Sequence, residues 1–117
     1  MPTPNLNNPT RVEGKVAVLV VTTTPTNIVA NAADSNATVR INTLLVSNVN
    51  GATAGSVNIS VYRGATEYFL AKTVAINPDE SYSVFDRHMY LEPGDSLRIT
   101  ADAAEKIQAV CAYEIIS

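Results

Sequence analysis

Short runs in which apolar and polar residues alternate, cut by turn-forming residues about every dozen positions, constrain this chain more than any other feature, because such a pattern builds strands and leaves no room for a domain helix. The clearest unit is Tyr90-Leu91-Glu92-Pro93-Gly94-Asp95-Ser96-Leu97-Arg98-Ile99-Thr100. Pro93 presets φ for a turn, Gly94 accepts the positive φ that a type II turn needs at its third position, and Asp95 can accept backbone hydrogen bonds. Beyond the turn, Leu97 and Ile99 point one way while Ser96, Arg98 and Thr100 point the other.

Similar units fill most of the chain. Val16-Ala17-Val18-Leu19-Val20-Val21 is a continuous apolar run rich in β-branched residues that suits a strand covered on both faces. Ile28-Val29 gives a short strand or corner, and Ala30 to Asn36 a polar loop. From Thr38 to Val49 the alternation places Val39, Ile41, Thr43 and Leu45 on one face and Arg40 and Asn42 on the other. Leu44 and Val46 break that polar face, so part of it is expected to lie under an arm or a partner. The loop Asn50–Gly55 leads to Val57, Ile59 and Val61 alternating with Asn58, Ser60 and Tyr62, and the two runs together read as a β-hairpin with a longer loop. Arg63-Gly64-Ala65-Thr66 turns the chain into a strand with Tyr68, Leu70, Val74 and Ile76 on one side. Tyr82 and Val84, then Met89 and Leu91, lead to the Pro-Gly-Asp turn. Ala101 to Lys106 reads as the loop before a last strand that carries Ile107, Ala109, Cys111, Tyr113 and Ile115 on one face.

The expected fold is therefore all-β: one antiparallel β-sandwich of about eight strands, of jelly-roll or immunoglobulin-like topology. At 117 residues the chain has room for a single domain, and its 46% hydrophobic content fills a core without metal or disulfide. Residues 1–13 hold three of the six prolines and few apolar side chains, and read as an extended N-terminal arm before a sandwich spanning 14–117. At about 3.3 Å per residue such an arm reaches roughly 40 Å, far enough to cross a neighbouring subunit. Pro2, Pro4, Leu6 and Pro9 on the arm, with Leu44 and Val46 on the strand, are the candidate partner-binding residues.

Composition removes several function classes. Only 16% of residues are charged, the net charge is −3, and Lys and Arg are scattered, so the basic stripe that nucleic acid requires is missing. No run approaches the roughly 20 apolar residues of a membrane span. The start Met1-Pro2-Thr3-Pro4-Asn5 lacks the basic and apolar regions of a signal peptide, so the chain is expected to be made in a cytoplasm and to stay soluble unless it leaves in an assembly. The one cysteine, Cys111, has no partner for an internal disulfide and reads as a buried apolar residue. His88, the only histidine, adjoins Asp86 but lacks a nucleophile motif, and zinc needs more histidine and cysteine than the chain has. The acids of Asp79-Glu80 and of Glu92 and Asp95 sit on turns whose geometry explains them, without the repeated oxygen spacing of a calcium loop. The expectation is no enzyme, no metal and no cofactor. The seven aromatic residues, with no Trp, read as core and interface residues; a sugar-binding module needs them together on one exposed face.

From about Ala37 onward the chain resembles a loose group of small virion proteins of tailed bacteriophages. The residues that carry the likeness are Val46-Ser47-Asn48-Val49-Asn50-Gly51, the strand Val57 to Tyr62, Tyr68-Phe69-Leu70-Ala71-Lys72 with Ile76, the Tyr90–Thr100 unit, and Val110-Cys111-Ala112-Tyr113-Glu114-Ile115. The resemblance implies a non-enzymatic structural role in the virion, assembled in the host cytoplasm. The leading expectation is a capsid decoration (cement) protein that self-associates or docks on the major capsid protein. A neck, tail or baseplate component is the alternative, and a carbohydrate-binding or adhesive module the alternative of another class.

Overall fold

The computed structural model describes residues 10–85 and 87–117, and the description below is confined to them. Nine strands follow one another: β1 (Val12–Val20), β2 (Thr26–Ala30), β3 (Thr38–Asn48), β4 (Gly55–Arg63), β5 (Thr66–Ile76), β6 (Ser81–Ser83), β7 (Met89–Leu91), β8 (Ser96–Ala101) and β9 (Ile107–Ile116). They form two antiparallel sheets. In the first the order is β1-β9-β3-β6, with β7 also on β3; in the second it is β2-β8-β4-β5.

The pairings β4·β5, β3·β6 and β3·β7, β2·β8 and β1·β9 nest inside one another, so the chain is one long hairpin rolled into two layers. That is the jelly roll, with β6 and β7 sharing the work of one interrupted strand. The immunoglobulin-like alternative does not fit this order. The hairpin between the Thr38–Val49 and Val57–Tyr62 runs is also corrected, because β3 and β4 belong to different sheets and the Asn50–Gly55 segment crosses between layers. Asn48 anchors that crossing from the interior, its Nδ2 donating to the carbonyls of Thr53 (2.9 Å) and Ile76 (3.0 Å). The hairpin partner of β4 is β5, joined through Gly64 and Ala65 at φ 58° and 66°. Two consecutive positive φ values make the type I′ turn that matches strand twist.

The core lies between the sheets and is built mainly from Val39, Ile41, Leu44, Val46, Ile107, Ala109 and Cys111 on one side and Val29, Val57, Ile59, Leu97 and Ile99 on the other. Burial of each Leu, Ile or Val contributes roughly 1.5–3 kcal/mol. The alternation read from Ser96–Thr100 and from Ile107–Cys111 holds in the structure. That of Thr38–Val49 does not. The β3·β9 register steps from Ile41↔Tyr113 to Thr43↔Ala112, leaving Asn42 as a bulge residue. A bulge inserts one residue and so inverts every face after it. Val39 and Ile41 point inward before it, and Leu44 and Val46 point inward after it, each of the latter fully buried. Leu44 and Val46 are thus core residues and offer nothing to a partner, whereas Leu45 is turned outward.

The Glu92–Asp95 turn forms as read. Gly94 has φ 95° and the Asp95 amide donates to the Glu92 carbonyl at 3.0 Å. It connects the two sheets rather than two neighbouring strands, and Asn31 ties it down: the Gly94 amide donates to the Asn31 carbonyl (2.7 Å) and the Asn31 amide to the Asp95 carbonyl (2.9 Å).

Candidate interaction surface

The most unusual surface is the outer face of the first sheet. On β1, Val16, Val18 and Val20 are 65%, 74% and 50% exposed, and Val110 and Leu45 beside them 43% and 42%. Register places these residues in rows: Val16 beside Ala112 and Thr43, Val18 beside Val110 and Leu45, Val20 beside Gln108 and Ser47. Directly paired residues on neighbouring strands share a face, so the valines form one apolar patch across β1, β9 and β3. The run Val16–Val21 was expected to be covered on both faces. Instead Ala17 and Leu19 pack on the core while the even-numbered valines face outward, because the sheet has a second layer on one side only.

At one end the patch meets charge. Arg40 donates through Nε to Glu114 Oε1 at 2.8 Å and also through Nη2, and Asn42 adds a bond of 3.3 Å to the same oxygen. The Arg40 guanidinium holds the Glu114 carboxyl below the usual carboxylate range, and Arg40 is raised in turn. Gly14 lies beside Glu114 in the β1·β9 register.

A second cluster surrounds the Pro-Gly-Asp turn. Arg63 donates to both oxygens of Asp95 (Nε to Oδ1, 2.7 Å; Nη2 to Oδ2, 2.6 Å) and to Glu92 Oε2 (2.9 Å). The Glu92 amide donates to Asp95 Oδ2 at 2.9 Å. This fork, with Ala33, Gly64 and Pro93, lines a shallow depression, and its bonds between Arg63, Glu92 and Asp95 brace the turn.

The aromatic residues are dispersed among the described strands. Tyr62 lies 3.5 Å beneath the Arg98 guanidinium, Phe69 carries Lys72 at 4.8 Å, and Tyr82 stands on β6. Among the described residues Tyr68 and Tyr90 converge around a depression with Val61, Arg63 and Met89. Phe85 and Tyr113 pack against the core, whereas Tyr68, Phe69, Tyr82 and Tyr90 are exposed. His88 is exposed and stacks edge-on against Tyr90, with centroids 5.5 Å apart. Asp86 lies outside the described residues, as do Pro2, Pro4, Leu6 and Pro9. No group of three or more metal-ligating side chains occurs among the described residues. Cys111 is buried, and burial pushes its thiol up to about 11.

No known family matches the chain, and no curated protein matches it. Solved structures do. A subunit of Bacillus endospore appendages, described as a family of disulfide-linked pili, aligns over 92% of this chain and 87% of its own with 18% identity and a TM-score of 0.54. A pentameric capsid protein isolated from metagenomic phage sequences aligns over 93% of this chain but only 60% of its own, with 23% identity and a TM-score of 0.46. At these identities the likeness is one of fold.

The valine patch is not legible in the sequence, because a continuous apolar run does not say which of its faces is covered. Gly14, two residues before the run, was the available signal: glycine is depleted from strand interiors unless something comes close to the backbone there.

Proposed function

We propose that the chain is a structural component of a tailed-phage virion, a capsid decoration protein that docks on the major capsid protein through the outer face of its first sheet. The observation that carries the reading is the patch of Val16, Val18, Val20, Leu45 and Val110, whose apolar side chains stand in solvent on a small sandwich. Such a patch marks an interaction surface. The virion is supplied by the sequence resemblance, whose matching residues include the Pro93-Gly94-Asp95 turn, core positions such as Val46, Ile59 and Leu97, and exposed ones such as Tyr68 and Val110. Viral capsid domains are among the uses of that fold, although fold alone assigns no function. The one cysteine lies in the core, so the proposed docking does not draw on a disulfide from Cys111.

The test is co-sedimentation of purified protein with expanded capsids. Wild type is expected to pellet with the shells, and a Leu45→Asp, Val110→Asp variant to stay in the supernatant. Absence of wild-type binding, or mass spectrometry of separated particles that finds the chain only in tails, defeats the decoration reading; the second result moves the protein to the neck or tail.

A further inference from the structure

Strand edges are templates for other strands, and proteins guard them with bulges, proline, charge or shortness. Among the described residues the two sheets present four edges. β2 has five residues and a register break between Asn27 and Val29. β6 and β7 have three residues each. β5 is long, but its register with β4 breaks twice and Thr73 stands at φ 53°. β1 alone runs nine residues in unbroken register with no proline.

The direction of its hydrogen bonds can be counted. Arg11 and Ser117 exchange both backbone bonds at 2.8 Å, and the Val21 amide donates to the Ile107 carbonyl at 2.9 Å. Hydrogen-bonded and non-bonded pairs alternate along an antiparallel ladder. Glu13, Lys15, Ala17 and Leu19 therefore turn their backbone groups toward β9. Val12, Gly14, Val16, Val18 and Val20 turn theirs to the outer edge, where no described strand meets them.

We propose that this edge pairs with the same edge of a second copy, antiparallel about a two-fold axis at Val16. The single long, regular edge argues for the isologous arrangement, because a head-to-tail contact between edges needs two different competent edges on each molecule. Centring on Val16 overlaps the whole of Val12–Val20 and gives every outward N–H and C=O a partner. Moving the axis to Lys15 sets two ammonium groups side by side. Moving it to Val18 sets the outward-facing Gly14 and Val12 opposite Thr22 and Thr24, beyond the end of the strand. With the axis at Val16, Lys15 faces Ala17 and Glu13 faces Leu19, so no like charges are opposed.

Gly14 supports the same register independently. Its φ is not positive, and a Cβ built there meets nothing within 4 Å, so neither conformation nor packing inside the chain calls for glycine. In the pair, Gly14 stands opposite Val18, the most exposed valine, whose side chain covers the bare backbone. The inference deepens the assembly reading by naming the partner of β1. It leaves the outward face open to the shell.

Sedimentation of the protein alone over a dilution series tests it. The expected mass at about 100 μM is twice the 12.5 kDa of one chain. Val16→Lys and Val16→Glu, at a position 65% exposed, each weaken association at least about tenfold, and an equimolar mixture of the two regains the double mass because opposite charges then meet at the axis. Amide exchange of the unmodified protein provides a reading that needs no variant: Val12, Gly14, Val16, Val18 and Val20 slow as concentration rises. A single-chain mass throughout, dimers undiminished in both variants, a mixture that stays monomeric, or edge amides indifferent to concentration overturns the proposal. No capsid is present in these measurements, so failure of shell binding and failure of pairing are separate results.

Discussion

At the scale of single residues the molecule is held by a few side chains that replace missing backbone bonds. Asp95 is the clearest: 2% exposed, it takes two bonds from Arg63 and one from the Glu92 amide, and the Arg63 guanidinium foremost holds its carboxyl below the usual carboxylate range. A carboxylate with a depressed folded pKa adds stability that is fully present above its unfolded value of about 3.9 and lost as pH falls through the folded value. Asp95→Asn is expected to cost about 1–3 kcal/mol at neutral pH, the range for charge-assisted hydrogen bonds. The gap between wild type and variant should close below about pH 4. Urea unfolding from pH 7 to 2.5 checks this, and parallel profiles would refute it. Glu114, depressed by Arg40, steepens the acid loss in both proteins and cancels in the difference. Because Arg63 is 54% exposed, solvent screens part of the interaction and keeps the cost moderate.

At the scale of elements, what could be read from sequence divides by whether neighbours matter. β8 was legible because Leu97 and Ile99 alternate with polar residues, and the turn before it because Pro93 and Gly94 restrict φ locally. The failures are non-local. Nothing in Ile41-Asn42-Thr43 announces that Asn42 bulges, since the bulge answers to the facing strand β9, and the miscounted face made Leu44 and Val46 look like contact residues. Nothing in Val16–Val21 says whether its second face is covered, because that depends on how many layers pack on the sheet, which here is one. The bulge yields a parity test. Leu44→Ala should cost about 2–5 kcal/mol as a core truncation, and Leu45→Ala, one residue along, less than about 1 kcal/mol. Equal losses in chemical denaturation would mean the face inversion is wrong.

At the scale of the whole molecule, the rolled hairpin makes the last strand a keystone: β9 lies between β1 and β3, joining the start of the chain to its middle. Local fraying of one neighbour leaves β9 paired on its other side. Cys111 sits on this strand with its side chain wholly buried between the sheets, opposite Ala17 on one side and Leu44 on the other. For a thiol reagent to reach its sulfur, both layers must part, and burial adds a chemical barrier by keeping the thiol protonated at neutral pH. Native-state labelling of Cys111 should therefore track global unfolding: slow in buffer, accelerating with urea, and with a denaturant dependence equal to the equilibrium m-value of the domain. Labelling that is fast or insensitive to urea would show that β9 opens by itself, and a keystone strand cannot. In an assembly joined through β1, the same thiol should label more slowly still, since a contact made only by the folded chain lowers the population of the open state.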